Sequence, residues 1–176
     1  MNRVPEASDQ AEEASARSAG PGDLLALERQ VCFALSIAAR SVLSVYRPVL
    51  EPLGLTHPQY LVMLALWGQS PVTVKELGEM LQLDAPTLSP LLKRLEAAGL
   101  VTRNRLPEDE RHLRIELTLR GRELRQEALN VPPTIIAKLG MQISELDEVR
   151  RVLTALNDCA RRAGVQPLPS PADDSV

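Results

Sequence analysis

Aromatic residues are nearly absent. Phe33, Tyr46, Tyr60 and Trp67 make up 2% of the 176 residues, so any core has to be built from Leu, Val, Ile and Ala. Histidine and cysteine are as scarce, with His57, His112, Cys32 and Cys159 the only ones. Neither histidine has a Cys or His neighbour at ligand spacing, which excludes a recognisable metal cluster. No glycine loop of the phosphate-cradling kind and no paired acid/base constellation occur, so neither a cofactor nor catalysis is expected. Positive charge is not in excess either: the net charge is −3, which excludes a chain that coats nucleic acid indiscriminately and leaves only a local basic patch for that purpose. No apolar run reads as long enough to span a membrane. Met1–Gly20 carries Glu6, Asp9, Glu12 and Glu13 and lacks the apolar stretch of a secretory signal. A cytoplasmic protein without a permanent disulfide is the expectation.

What remains is a globular balance of 44% hydrophobic and 24% charged residues, enough for one domain of ordinary size. Residues 1–22 are rich in Ala, Ser and Glu and end in Gly20-Pro21-Gly22. Residues 164–176 hold Pro167, Pro169 and Pro171. Both read as disordered tails around a folded part at 23–163. A first helix is expected from an N-cap at Asp23, with Leu24, Glu28, Val31, Leu35, Ala38, Val42 and Val45 forming one stripe that buries against a core or a partner helix. Pro48 and Pro52 should end it. Thr56 and Gln59 have the spacing of a capping box, with Pro58 in the first turn, ahead of a nearly all-apolar and hence buried helix closed by Gly68. Thr73 and Glu76 repeat the box before a short helix with Leu77, Met80 and Leu81 facing inward. Asp84 caps a fourth helix, about Ala85–Ala98, whose inner face carries Leu88, Leu91, Leu92 and Leu95.

Two strands follow, Leu100–Leu106 and His112–Leu117, around a polar turn at Pro107–Arg111. Thr118 caps a long helix that Pro132-Pro133 breaks or kinks. Ser144 and Asp147 open the last helix, with Leu146, Val149, Leu153, Leu156 and Ala160 at core-like spacing. The fold class is therefore mainly α with a small β-hairpin. Short helix, turn, second helix and hairpin make a winged helix-turn-helix. Such a second helix enters the major groove of DNA. Off its apolar stripe lie Thr87, Ser89, Pro90, Lys93 and Arg94, which can address phosphates or base edges. Arg103 and Arg105 add charge on the hairpin. Residues 93–114 hold six Lys or Arg against four Asp or Glu, a local net of +2 in a chain of net −3. Phosphate affinity should be moderate and strongly dependent on salt.

Leu55-Thr56-His57-Pro58-Gln59-Tyr60, the helix Asp84–Arg94 and Asp109-Glu110-Arg111 resemble the MarR family of dimeric repressors. Gln30-Val31-Cys32-Phe33, Tyr46-Arg47-Pro48 and the segment continuing to Leu61 are similar to its OhrR branch, which senses organic hydroperoxides. The resemblance covers roughly residues 28–145. It implies a homodimer with interlocking N- and C-terminal dimerisation helices (about 23–52 and 119–163) around a DNA-binding lobe (about 53–118), and a pseudo-palindromic operator. It implies that Arg111 at the wing tip reaches a minor groove with Asp109 orienting it. It further implies that Cys32 is a sensor oxidised to a sulfenic acid, with Tyr46 matching a tyrosine that holds the thiolate. Where the branch has tyrosine, this chain has His57, and often also where it has Ser36. A histidine can hydrogen-bond a thiolate or, protonated, stabilise it; a serine hydroxyl is shorter.

Several readings stay open on the sequence. Cys32 among Ala and Leu also fits a small buried hydrophobe. His57 also fits a polar cap, and Tyr46 ordinary packing. Cys159 lies farther along than the branch's resolving cysteine, so both a Cys32–Cys159 intersubunit disulfide and resolution by a small cellular thiol stand. The effector could instead be a small aromatic or phenolic acid bound between the dimerisation region and the reading head.

Overall fold

The computed structural model describes residues 25–106 and 109–164; of Glu28 and of residues 105, 106 and 109–112 it describes the backbone alone. The expected N-terminal tail, the cap at Asp23, Leu24 of the expected stripe, Pro107-Glu108 and the expected C-terminal tail beyond Gly164 lie outside the described residues. The chain divides into two compact units, one up to Val42 and one from Leu43 onward.

The first helix begins later than its stripe suggested. A single 3₁₀ turn at Leu27–Arg29 precedes α1, Val31–Leu50. Pro48 does not end α1 but lies inside it, two residues before its last; Pro52 sits in the 3₁₀ turn Glu51–Leu53 that follows. In the first unit the stripe is open: Val31 is 62%, Leu35 36% and Val42 36% exposed. Val31–Leu53 has mean hydropathy 1.2 over its best window and is long and apolar enough, by length and composition, to cross a bilayer, contrary to the expectation from sequence. Arg40, Arg47 and Glu51 are spaced along it, which is why no unbroken apolar run is visible by eye.

The second unit holds the core. α2, His57–Gly68, starts at Thr56, whose N–H donates to Gln59 Oε1 at 2.8 Å. It is less buried than its composition suggested: Tyr60, Val62, Met63 and Leu66 are inside, whereas Leu61 and Leu64 are exposed. A two-residue strand β1, Val72–Thr73, leads into α3, Val74–Leu81, where Thr73 and Glu76 close the expected capping box. Leu77 is fully buried, with Val74 and Leu81 packed against the core, but Met80 points outward at 46% exposure, because it lies off the i, i+3, i+7 stripe that those three residues form. α4, Ala85–Ala97, buries the four leucines foreseen for it. Each of these contributes about 1.5–3 kcal/mol of transfer free energy.

β2, Val101–Leu106, and β3, Asp109–Leu117, pair antiparallel, Val101 opposite Leu117 and Arg103 opposite Ile115. β1 adds a third strand on the far side of β3, Val72 opposite Ile115. The sheet is thus three-stranded rather than a bare hairpin, and β3 starts three residues before the expected His112. Two residues are too few to show a period of two, so β1 was invisible in the sequence. The expected long helix is broken into α5, Leu119–Ala128, and α6, Val131–Leu139, with Pro132 in the first turn of the second. α7, Ile143–Arg162, opens at Gln142, whose N–H donates to Glu145 Oε2 at 2.7 Å, and not at Ser144 with Asp147. Its core-like stripe is exposed: Val149 45%, Leu153 43% and Leu156 40%.

Candidate nucleic-acid interface

The reading head is built from local caps and one shared core. α3 ends at Gln82, which adopts a left-handed φ of 55°. The turn is tight: a Cβ on Gly78 would stand 2.8 Å from the Leu83 carbonyl oxygen, so only glycine lets the two backbones meet there. Asp84 then caps α4, its Oδ1 accepting from Thr87 N at 2.9 Å. Hydrogen bonds from Thr87, side chain first and backbone second, hold the Asp84 carboxyl below its ordinary range. Leu88, Leu92 and Leu95 anchor the helix from beneath at 0–1% exposure.

The opposite face of α4 meets solvent. Pro90, Lys93 and Arg94 are exposed, and Thr87 and Ser89 are partly so. One short helix thus presents a hydroxyl pair near its start and two cations a turn later. That is the order needed to address base edges first and phosphates beyond them. Arg103 is different. Its Nε donates to Glu96 Oε2 at 2.7 Å, so its guanidinium is engaged by α4 itself. The same bond, before any other influence, lowers the Glu96 pKa. Sequence reasoning missed Glu96, because the partners lie on different elements and the turn between them sets their approach. Arg105 lies on β2, and Asp109 and Arg111 on β3 rather than in a turn; their side chains lie outside the described residues.

The end of α4 is held by two further polar contacts. Thr118 Oγ1 donates to the Gly99 carbonyl at 2.7 Å, and Arg120 Nη1 to the Ala98 carbonyl at 2.9 Å. Gly99 itself takes φ 71°, the left-handed conformation that ends a helix and that glycine adopts without strain. Thr118 then receives the Gly121 N–H at 3.0 Å, which starts α5.

Matched to known proteins, the MarR family pattern covers residues 55–113 of this chain. The organic hydroperoxide resistance transcriptional regulator of Bacillus subtilis is 42% identical over 134 residues, 76% of this chain and 89% of its own length. The chain belongs to the MarR family. Among solved structures, reduced AbfR bound to DNA superposes with TM-score 0.69 at 33% identity, covering 90% of this chain and 99% of that one. A disulfide-formed AbfR superposes with TM-score 0.55 at 34% identity, covering 89% and 97%; AbfR is a protein of Staphylococcus epidermidis. This MarR protein is a DNA-binding transcriptional regulator with a winged-helix fold.

The residues expected to sense belong to both units of the MarR chain. In the first, Cys32 is a free, exposed thiol on α1. Ser36 does not aim its hydroxyl outward: Oγ donates to the Cys32 carbonyl at 2.8 Å, a bond back along the helix. In the second unit, Tyr46 and His57 are brought together. Their ring centroids lie 5.0 Å apart at 74°, edge to face. Tyr60 continues the cluster 6.3 Å from Tyr46, and Trp67 stands 6.4 Å from Tyr60. Burial lowers the His57 pKa below its ordinary value and so favours the neutral imidazole. Cys159 is also a free, exposed thiol, with Arg162 Nη2 at 3.1 Å from its Sγ.

Proposed function

We propose that this MarR protein is a homodimeric repressor that senses organic hydroperoxides through Cys32 and releases its operator on oxidation. The carrying observation is Cys32 itself, an exposed free thiol, in a chain 42% identical to a regulator named for organic hydroperoxide resistance. The thiolate sulfur attacks one peroxide oxygen and the O–O bond breaks. The alkoxide leaves and takes a proton as the alcohol, and sulfur, oxidised by two electrons, becomes a sulfenic acid. A second thiol then displaces water to give a disulfide. The chemistry is stoichiometric sensing, not turnover, and it runs where the DNA is, in the cytoplasm.

The dimer is supported by the exposed stripes of α1 and α7, apolar faces that a second copy would cover. A two-fold protein pairs with a pseudo-palindromic operator whose half-sites lie about one helical turn apart. Thr87, Ser89, Pro90, Lys93 and Arg94 address the major groove, and Arg111, with Asp109, a minor groove.

One observation favours a second reading. Tyr60, Leu64, Trp67, Arg125, Leu129 and Pro132 line a crevice of about 270 Å³, an aromatic and apolar wall with one cation. It suits a small aromatic or phenolic acid as effector.

The test is a gel shift with the DNA upstream of the protein's own gene, before and after a slight excess of organic hydroperoxide and then after dithiothreitol. Wild type should release and rebind, while Cys32→Ser stays bound throughout. If both forms stay bound under peroxide, Cys32 is not the sensor and the crevice becomes the effector site to examine.

A further inference from the structure

We propose that Arg103 is a positioning residue that fixes the wing to the reading helix, and is not one of the cations that meets DNA phosphate. The inference rests on DNA binding through α4 and the wing, and is independent of how Cys32 is used.

Strand alternation gives the first argument. Val101 is buried, Thr102 and Asn104 are exposed, and Arg103 lies between the extremes. Arg103 sits opposite Ile115, which is fully buried, whereas Thr102 and Asn104 sit opposite Glu116 and Arg114. Directly opposed residues of an antiparallel pair project to the same face. Arg103 therefore projects toward the body of the lobe, not outward from the wing.

The second argument is its partner. Nε and Nη2 both reach Glu96 Oε2, at 2.7 and 2.5 Å, with the two side chains 24% and 36% exposed. Glu96 stands in the last turn of α4, past Lys93 and Arg94. A guanidinium already neutralised by a carboxylate displaces few counterions from DNA, so it adds little to the salt dependence of binding. Ion pairs that keep contact with water stabilise folds only weakly, so the value of this one lies in geometry. With Arg120 on the Ala98 carbonyl and Thr118 on the Gly99 carbonyl, it joins the end of α4, the wing and the start of α5 into one rigid piece. Reading heads tolerate little looseness between two elements that must enter neighbouring grooves.

The experiment measures binding of the reduced protein to the duplex upstream of its own gene over a series of salt concentrations. Arg103→Met should keep the wild-type slope of log affinity against log salt and lose about 3–10-fold in affinity at every salt, the mark of a loosened support. Arg94→Ala, the control, should lower the slope by about 1. The exchange Glu96→Arg with Arg103→Glu should recover most of the affinity. Glu96→Gln, which keeps the arginine charge and guards against misfolding of Arg103→Met, should weaken binding to the same degree. A slope that falls by about 0.9 in Arg103→Met, as loss of one phosphate contact requires, overturns the proposal. So does a gain in affinity with Glu96→Gln, or an exchange variant no better than Arg103→Met. If Arg94→Ala leaves the slope unmoved, the assignment of α4 to DNA fails and the proposal falls with it. If Arg94→Ala and Arg103→Met lower it equally, only the role of Arg103 is wrong.

Discussion

Trp67 Nε1 donates to the Gly121 carbonyl at 2.8 Å, across 54 positions of sequence. The bond ties the end of α2 to the first turn of α5, where the backbone packs so tightly that a Cβ on Gly121 would collide with the Leu100 carbonyl. Gly121→Ala should therefore destabilise the lobe by about 1–3 kcal/mol or more, the cost of overpacking. Trp67→Phe, which removes the Gly121 carbonyl's donor and the five-membered ring of the indole, should cost about 1–3 kcal/mol. Urea unfolding followed by circular dichroism gives both values. In Gly121→Ala the fluorescence of Trp67, the single tryptophan, would report the local shift directly.

Burial of His57 lowers its pKa below the ordinary value of 6.5. In the window between 6.5 and that lowered value the unfolded chain binds the proton and the folded chain does not. Stability should thus be unaffected above this window, fall as pH drops through it, and level off once the folded imidazole is protonated as well. His57→Gln should flatten that segment of the stability–pH curve. An unchanged curve in the variant would show that the imidazole is not desolvated.

Lys93 is exposed on the outer face of α4 and pairs with no carboxylate among the described residues. Lys93→Ala should weaken binding to all duplexes alike and reduce the salt slope by about 1, the signature of one lost phosphate contact. Loss of preference for one duplex at a constant slope would instead make Lys93 a base reader.

Cys159 is held near Arg162, three residues along the same exposed helix. Cys159→Ser should still release its operator when an organic hydroperoxide is added together with a small thiol. It should also fail to abolish release when the hydroperoxide is given alone, since the sulfenic acid forms on Cys32 without it. A variant that keeps its DNA under peroxide would make Cys159 the obligatory resolving thiol.

The chain by itself determined the helices of the DNA-binding lobe that announce their own start, though the equally local box of Gln142 and Glu145 at α7 went unread. Thr56–Gln59, Thr73–Glu76 and Asp84 are caps whose partners lie within three residues, and the leucines of α4 repeat at a spacing that only a helix brings to one face. The winged helix-turn-helix and its outward residues were legible for that reason. Tertiary structure decided what depends on partners far apart in sequence. β1 exists because β3 offers it an edge. Arg103 turns from a free cation into half of an ion pair because the Gly99 turn brings its strand back to Glu96. Tyr46 and His57 become ring neighbours only through the turn at Glu51–Leu53. The stripes of α1 and α7 show the opposite limit: periodicity marked them as apolar faces, but a period records which side is apolar and never what covers it.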